Sequence, residues 1–405
     1  MPSNGRLPDD AVREVGSVPF AAYVHVPFCA TRCGYCDFNT YTASELNGAT
    51  EQQYVGAVLA EIELARQVVP HAPPLSSVFF GGGTPTLLRA DDQALILRAL
   101  RESFGLEPEA EVTTEANPES VSEPQLAALR EAGVNRISFG MQSAVPHVLA
   151  TLDRTHTPGR VGEAIAEARA VGFDNISVDL IYGTPGESLA DWRTSLDAAV
   201  AMEPQHISAY ALIVEPGTAL ARRIARGEVA SADDDDQASK YELADELLKD
   251  AGYEWYEVSN WARSPDLASR HNLAYWKGHH WWGFGPGAHS HVGGVRWWNV
   301  KHPRAYAERM AAGVSPAQAR EVLDEPTRQL ERLLLEVRLR NGLGRSVLSA
   351  GASAEAGSMV QQGLLDAAAW ESGVVHLTLQ GRLLADLVVR RLAMEDDEGM
   401  ANAEV

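Results

Sequence analysis

All three cysteines of the chain stand within one short stretch, Cys29-Ala30-Thr31-Arg32-Cys33-Gly34-Tyr35-Cys36, in the spacing C-x3-C-x2-C. Thiols recurring at such intervals point at one object, a metal or a cluster. A cubane iron–sulfur cluster is usually held by four thiolates. With only three available, one iron would lack a protein thiolate and stay open to a small ligand. That open position is what separates catalytic metal sites from closed structural ones. Two alternatives stand beside this reading: a structural zinc completed by a His or Asp, and reduced thiols with no metal. Structural zinc cysteines more often come as two separated pairs.

The elements that must position this loop follow from hydrophobic patterning. Residues 20–26 are apolar and β-branched and read as a strand, which Pro27 ends just before the cysteines. Further strands are expected at 77–80, 111–115, 135–140, 175–182 and 206–214, and one more at 254–258. Helices are expected at 51–69, 91–104, 122–132, 161–171, 189–201 and 233–251. Ser122 suits an N-cap, Gly133 lies just past the end of its helix, and Asp233 to Asp236 suit the positive end of a helix dipole. Strand–helix alternation of this kind builds a parallel sheet with helical crossovers.

Residues able to do chemistry gather just after the strands. They include the cysteines, Gly81-Gly82-Gly83-Thr84-Pro85, Glu115-Ala116-Asn117-Pro118, Met141-Gln142-Ser143, Asp179 and Gly183-Thr184-Pro185-Gly186. Barrels carry their active sites at the C-terminal ends of the strands. The expected class is therefore α/β, a full or partial barrel, with a doubly wound sheet as competitor. A glycine triplet lets backbone amides approach a ligand, but a plain turn looks the same. Glu115 ends an otherwise buried strand, where a lone carboxylate is costly. A salt bridge at the barrel rim would also explain it.

The run Tyr23-x-His25-x-Pro27-Phe28-Cys29-x3-Cys33-x-Tyr35-Cys36-Asp37-Phe38 resembles the signature of the radical S-adenosylmethionine (radical SAM) family. Within it, the run resembles the branch of the oxygen-independent coproporphyrinogen III oxidases and the HemW-type haem chaperones. The resemblance implies a partial (β/α)6 barrel. It implies a [4Fe-4S] cluster on Cys29, Cys33 and Cys36, with Tyr35 against it and S-adenosylmethionine chelating the open iron. Gly82, Gly83 and Thr84 match the loop that receives the methionine amino group. Glu115, Gln142, Arg154, Asp179 and Tyr23 match further contacts to that ligand. Arg154 suits the methionine carboxylate through bidentate hydrogen bonds. The family usually has Gly before this Arg, where the chain has Asp153. An electron donor is implied, since the reduced cluster passes one electron to the sulfonium.

The oxidases extend the signature by another cysteine, at the position of Phe38. The chain is thus more similar to the chaperones, which implies haem binding and delivery to respiratory apo-proteins. Oxidative decarboxylation of coproporphyrinogen III is the alternative. His271-Asn272-Leu273-Ala274-Tyr275-Trp276 resembles the chaperones' haem motif, with His271 as axial ligand and Tyr275 as a second donor, beside Asn272 and Trp276. His279, His280, His289 and His291 are rival ligands. Alternatively, His271 and Asn272 are hydrogen-bonded structural residues beneath the barrel mouth.

A net charge of −21 disfavours a nucleic-acid partner. Three cysteines in 405 residues make no disulfide framework. With no signal-like N-terminus and no apolar run long enough for a membrane helix, a cytoplasmic protein is expected. The expected organisation is a flexible 1–18, a barrel with an aromatic-rich loop extension over 19–300, a winged-helix-like helical domain over 301–395 and an acidic tail at 396–405. The extension holds six of the nine tryptophans, between Trp261 and Trp298. Nothing in the chain decides on a dimer.

Overall fold

The computed structural model describes residues 2–403, with side chains as far as residue 394. Six strands lie side by side in chain order, each parallel to the next: β1 Phe20–Val26, β2 Leu75–Gly82, β3 Leu106–Ala116, β4 Arg136–Gln142, β5 Ile176–Tyr182 and β6 His206–Ala211. A doubly wound sheet reverses its order at a switch point. This one does not, so right-handed crossovers put every helix on one outer face and the sheet curls into a partial (β/α)6 barrel.

The period-two alternation of a strand explains both faces. Along β4, Ile137, Phe139 and Met141 are buried in the core shared with the helices, while Arg136, Ser138, Gly140 and Gln142 line the interior. On β5 the core takes Val178 and Leu180, and the interior takes Ser177, Asp179 and Ile181. Each large apolar side chain on the outer face contributes roughly 1.5–3 kcal/mol on burial. The polar inner face gains nothing of that kind, and its retention in the sequence marks a lumen built for contact with something.

The sheet continues past both edges of the barrel. β7 Glu254–Glu257 and β8 Asn260–Ala262 extend it beyond β6. On the other side β9 His280–Phe284 runs parallel to β1, followed by the antiparallel β10 His289–Val292, β11 Val295–Asn299 and β12 Ala317–Val322. The region expected as an aromatic-rich loop therefore carries strands β8 to β11 and a short helix. Trp261, Trp282 and Trp297 alternate inward and are buried in the main core. The chain crosses from β8 at one edge to β9 at the other through the short helix Arg270–Trp276.

Two expectations about organisation change. Residues 1–18 are not simply flexible: helix Asp9–Glu14 forms, and Leu7 and Ala11 bury against the main core. The boundary expected after residue 300 moves later, because Tyr306, Met310 and Ala317 belong to the main core. A second core begins at Leu333 and gathers Val337, Leu343, Met359, Leu365, Val375 and Val388. It joins helices Glu325–Glu336, Ala350–Gln361 and Ala385–Ala403 to a small antiparallel pair, β13 Leu343–Gly344 and β14 Val374–Val375. Leu365 bridges Leu377, and the ladder partner of Val374 and Val375 is the Leu343–Gly344 segment. The side chains of the tail at 396–405 lie outside the described residues.

Candidate functional site

The cysteine loop is clamped between the end of β1 and the glycine loop after β2. Tyr41 N–H donates to the Pro27 carbonyl (2.7 Å) and Cys29 N–H to the Tyr41 carbonyl (3.1 Å). From the other side Gly83 N–H donates to Val26 O and Thr84 N–H to Phe28 O, both at 2.8 Å. Two of the glycines are demanded by space and conformation. Gly82 has φ +111°, and a Cβ there would stand 2.6 Å from the His25 ring. A Cβ on Gly83 would stand 2.5 Å from Phe28 O and 3.0 Å from Cys29 Sγ.

All three thiols are free of disulfides. Burial pushes the Cys29 thiol up and the Cys36 thiol up to about 11. An activated nucleophilic cysteine shows the opposite shift. Among the described residues no three His, Cys, Asp or Glu side chains gather closely enough for one metal ion. A cubane places each thiolate on its own iron, which suits three ligands spread along one loop.

A cavity of about 590 Å³ opens beside this loop and runs down the barrel interior. It brings together Cys29, Cys33 and Cys36 with Tyr23, Tyr35, Gly82, Gly83, Thr84, Glu115, Gln142, Arg154 and Asp179. Gly82 N–H donates to Glu115 Oε2 at 3.1 Å. Burial, and after it the charge of Asp179, push the Glu115 carboxyl up to about 8. Ser138 donates its hydroxyl to Asp179 Oδ2 at 2.7 Å, and burial raises that carboxyl too. These two buried acids form no ion pair among those the structure contains. Arg154 donates from Nη2 to Asn117 Oδ1 (2.8 Å) and Gly140 O (3.1 Å), and from Nη1 to Cys33 Sγ (3.6 Å). Its buried Nε–H has no partner. The lumen thus offers two buried carboxylates that form none of the described salt bridges, and one spare guanidinium N–H. A ligand carrying both an onium centre and an α-amino-carboxylate meets both demands.

Asn117, seen in the sequence only as part of the Glu-x-Asn-Pro run, orients Arg154, and Ser138, which holds Asp179, was not singled out from sequence. The inward register of β4 would have found Ser138. Asp153 adopts φ +56° and Gln142 φ +62°. The position where the family usually has Gly does need a left-handed backbone, and Asp, better than most residues, supplies it.

The lumen floor is built differently. Helix Arg270–Trp276 crosses it, and His271 is buried there with both ring nitrogens engaged. Nδ1 lies 3.0 Å from Ser77 Oγ and Nε2 2.9 Å from Tyr275 Oη. Burial holds its ring neutral, its pKa pushed down to about 3. Glu111 pairs with Arg136 at 3.5 Å and accepts from the backbone N–H of Arg270 and of His271, both at 3.1 Å. Asn272 donates to Glu257 (2.8 Å) and Tyr256 (3.3 Å). Asn272 and Tyr275 line the cavity with His271, whereas Trp276 does not. Phe38 stands at the rim, 60% exposed.

A second cavity, of about 1370 Å³, adjoins the first along Tyr23, Cys33, Cys36, Phe38, Gly82 and Tyr275. Its far side is formed by β9, β10 and helix Glu325–Glu336.

The model of the radical SAM superfamily matches residues 23–199. The chain is 52% identical over 374 residues to a protein of Mycobacterium tuberculosis named "Heme chaperone HemW", covering 92% of this chain and 95% of that one. It is 33% identical over 380 residues to the "Heme chaperone HemW" of Bacillus subtilis, at 91% and 97% coverage. Among solved structures, coproporphyrinogen III oxidase (HemN) from Escherichia coli superposes with TM-score 0.80 at 23% identity, over 96% of this chain and 92% of that one, a likeness of fold. The chain belongs to the radical SAM superfamily and, within it, to the family of the HemW haem chaperones.

Proposed function

We propose that the protein binds haem and passes it to haem-accepting apo-proteins, those of respiration by family resemblance. We propose further that it carries a [4Fe-4S] cluster and S-adenosylmethionine in the upper cavity. The observation that carries the reading is the 52% identity spread over nearly the full length of both chains. When bound, the cluster with its ligand supplies one-electron chemistry, drawing on an external electron donor. Cys29, Cys33 and Cys36 hold it, and Arg154, 3.6 Å from Cys33 Sγ, stabilises negative charge on that sulfur. Glu115 and Asp179 receive the cationic part of S-adenosylmethionine, Arg154 Nε its carboxylate, and the bare Gly82–Gly83 backbone its close approach. Tyr23, Tyr35, Gln142 and Thr84 complete the walls. Phe38 supplies no further thiolate where the oxidase signature has one.

Of the haem motif, Tyr275 presents its ring to both cavities. His271 reaches an iron only by giving up Ser77 or Tyr275. Among the described residues no helix is long and apolar enough to cross a membrane, and we place the protein in the cytoplasm. The test is anaerobic reconstitution with iron and sulfide, followed by haem titration and an assay with coproporphyrinogen III and S-adenosylmethionine. The expected result is stoichiometric haem binding with no porphyrinogen turnover. Conversion to protoporphyrinogen IX overturns the chaperone reading in favour of the oxidase.

A further inference from the structure

We infer that haem sits in the second cavity, with His291 Nε2 as an axial iron ligand and Arg222 and Lys301 at the propionates. This rests on the reading that the protein carries haem, and it assigns that cargo a place. The cavity is the larger of the two, and one wall is aromatic: Tyr275, Trp281 and His291. Leu334 and Leu335 from helix Glu325–Glu336 add aliphatic surface to the same cavity. An apolar macrocycle needs such surface.

His291 is set up as a ligand and His271 is not. His291 Nδ1 lies 3.1 Å from the His279 carbonyl, so Nδ1 carries the proton and Nε2 keeps its lone pair. A backbone carbonyl on the far nitrogen is the usual device that orients a metal-binding imidazole. Trp281 packs against the ring at 5.1 Å and is itself pinned by an Nε1–H bond to His289 O (3.0 Å). Burial, foremost, lowers the His291 pKa and favours the neutral form that binds iron. His289 lines the same cavity and stacks on Trp298 at 5.8 Å, with no hydrogen bond among those described to orient its ring. His280 is buried and lines neither cavity.

Charge points the same way. In a chain of net charge −21, this cavity is lined by five Arg or Lys side chains against two carboxylates, Asp37 and Glu331. Arg296 is tied to Glu321 and Glu331, Arg338 to Asp386 and Arg32 to Glu45. Arg222 bonds only a carbonyl, that of Gly217 (2.7 Å), and Lys301 forms none of the described salt bridges. Those two cations are the ones left for the paired carboxylates of a haem.

The test titrates ferric haem into the reconstituted full chain and follows the Soret band, comparing wild type with His291→Gln and His291→Ala. The expected result is one haem per wild-type chain. Both variants should show a shifted Soret band and at least tenfold weaker binding, with cluster absorption retained. Free imidazole should restore the band position in His291→Ala by refilling the vacated ligand position. An unchanged band and affinity in His291→Gln overturns the inference while the haem-carrying reading stands. So does a loss confined to His271→Gln, which returns the iron to the barrel floor. Haem that binds without saturating at one per chain, in all variants alike, is non-specific stacking and also overturns it. If the wild-type chain takes up no haem, the underlying reading falls instead.

Discussion

The two ends of the same barrel lumen contrast in how their polar groups are satisfied. At the floor, Glu111 has Arg136, His271 has a partner on each nitrogen, and Asn272 bridges Glu257 and Tyr256. At the mouth, the charge of Asp179 works against that of Glu115 with no salt bridge described for either, Arg154 keeps an unused N–H, and burial holds the Cys29 and Cys36 thiols above their ordinary range. Both ends are equally rich in residues that do chemistry. What distinguishes them is completeness: a closed network holds the protein together, and an open one awaits something from outside.

Substitutions at the two ends should therefore fail in different currencies. The largest effect is expected for Cys33→Ser, which removes one of only three thiolates. After iron–sulfide reconstitution the broad cluster absorption should be essentially lost, and a full-intensity cluster would remove the three-thiolate site from the comparison. Next comes Arg136→Ala at the floor, which strands a buried Glu111 carboxylate. Stability measured by urea unfolding should drop by about 3–5 kcal/mol. A drop below about 1 kcal/mol would mean that the floor is no tighter than the mouth.

Glu115→Gln tests the opposite pole. It removes a buried carboxylate that forms none of the described salt bridges, so unfolding stability at pH 8 should be unchanged or higher, while affinity for S-adenosylmethionine falls at least tenfold. The sign with pH follows from the raised value. Between the ordinary 4.5 and about 8 the folded protein holds a proton that the unfolded chain has released. Stability is therefore full below 4.5 and declines as pH rises through that window. Glu115→Gln should flatten this decline in unfolding measured from pH 5 to 8. An equally steep decline in the variant would assign it to other groups. The smallest effect is expected for Asp153→Gly, which relieves a left-handed backbone at φ +56° and should raise stability by up to about 1 kcal/mol in the same unfolding assay.

The mouth was legible in the chain because its signals are local. A cysteine triplet, a glycine triplet and acids at strand ends each lie within a few residues, and period-two patterning assigns the inner face. The floor was legible only as the alternative reading of His271 and Asn272, for the converse reason. His271 has the residue type of an iron ligand, and its engagement is decided by Ser77, 194 positions earlier. No short window contains that pairing. The strands β9 to β11 were hidden because tryptophan, histidine and glycine dominate them, and their alternation emerges only once Trp282 and Trp297 are seen packed at 4.8 Å. The second core was expected and its onset misplaced, since helix Pro303–Ala311 is amphipathic whichever body it packs on.

A closed barrel owes its rigidity to an unbroken ring of backbone hydrogen bonds, which this open sheet lacks. The helix Arg270–Trp276 takes the place of the missing segment. Leaving β8 at one margin and reaching β9 at the other, it fastens by side chains to β2 through Ser77, to β3 through Glu111 and to β7 through Glu257. It works as a hoop. It ties three strands together across the base, at the end of the lumen farthest from the cysteines.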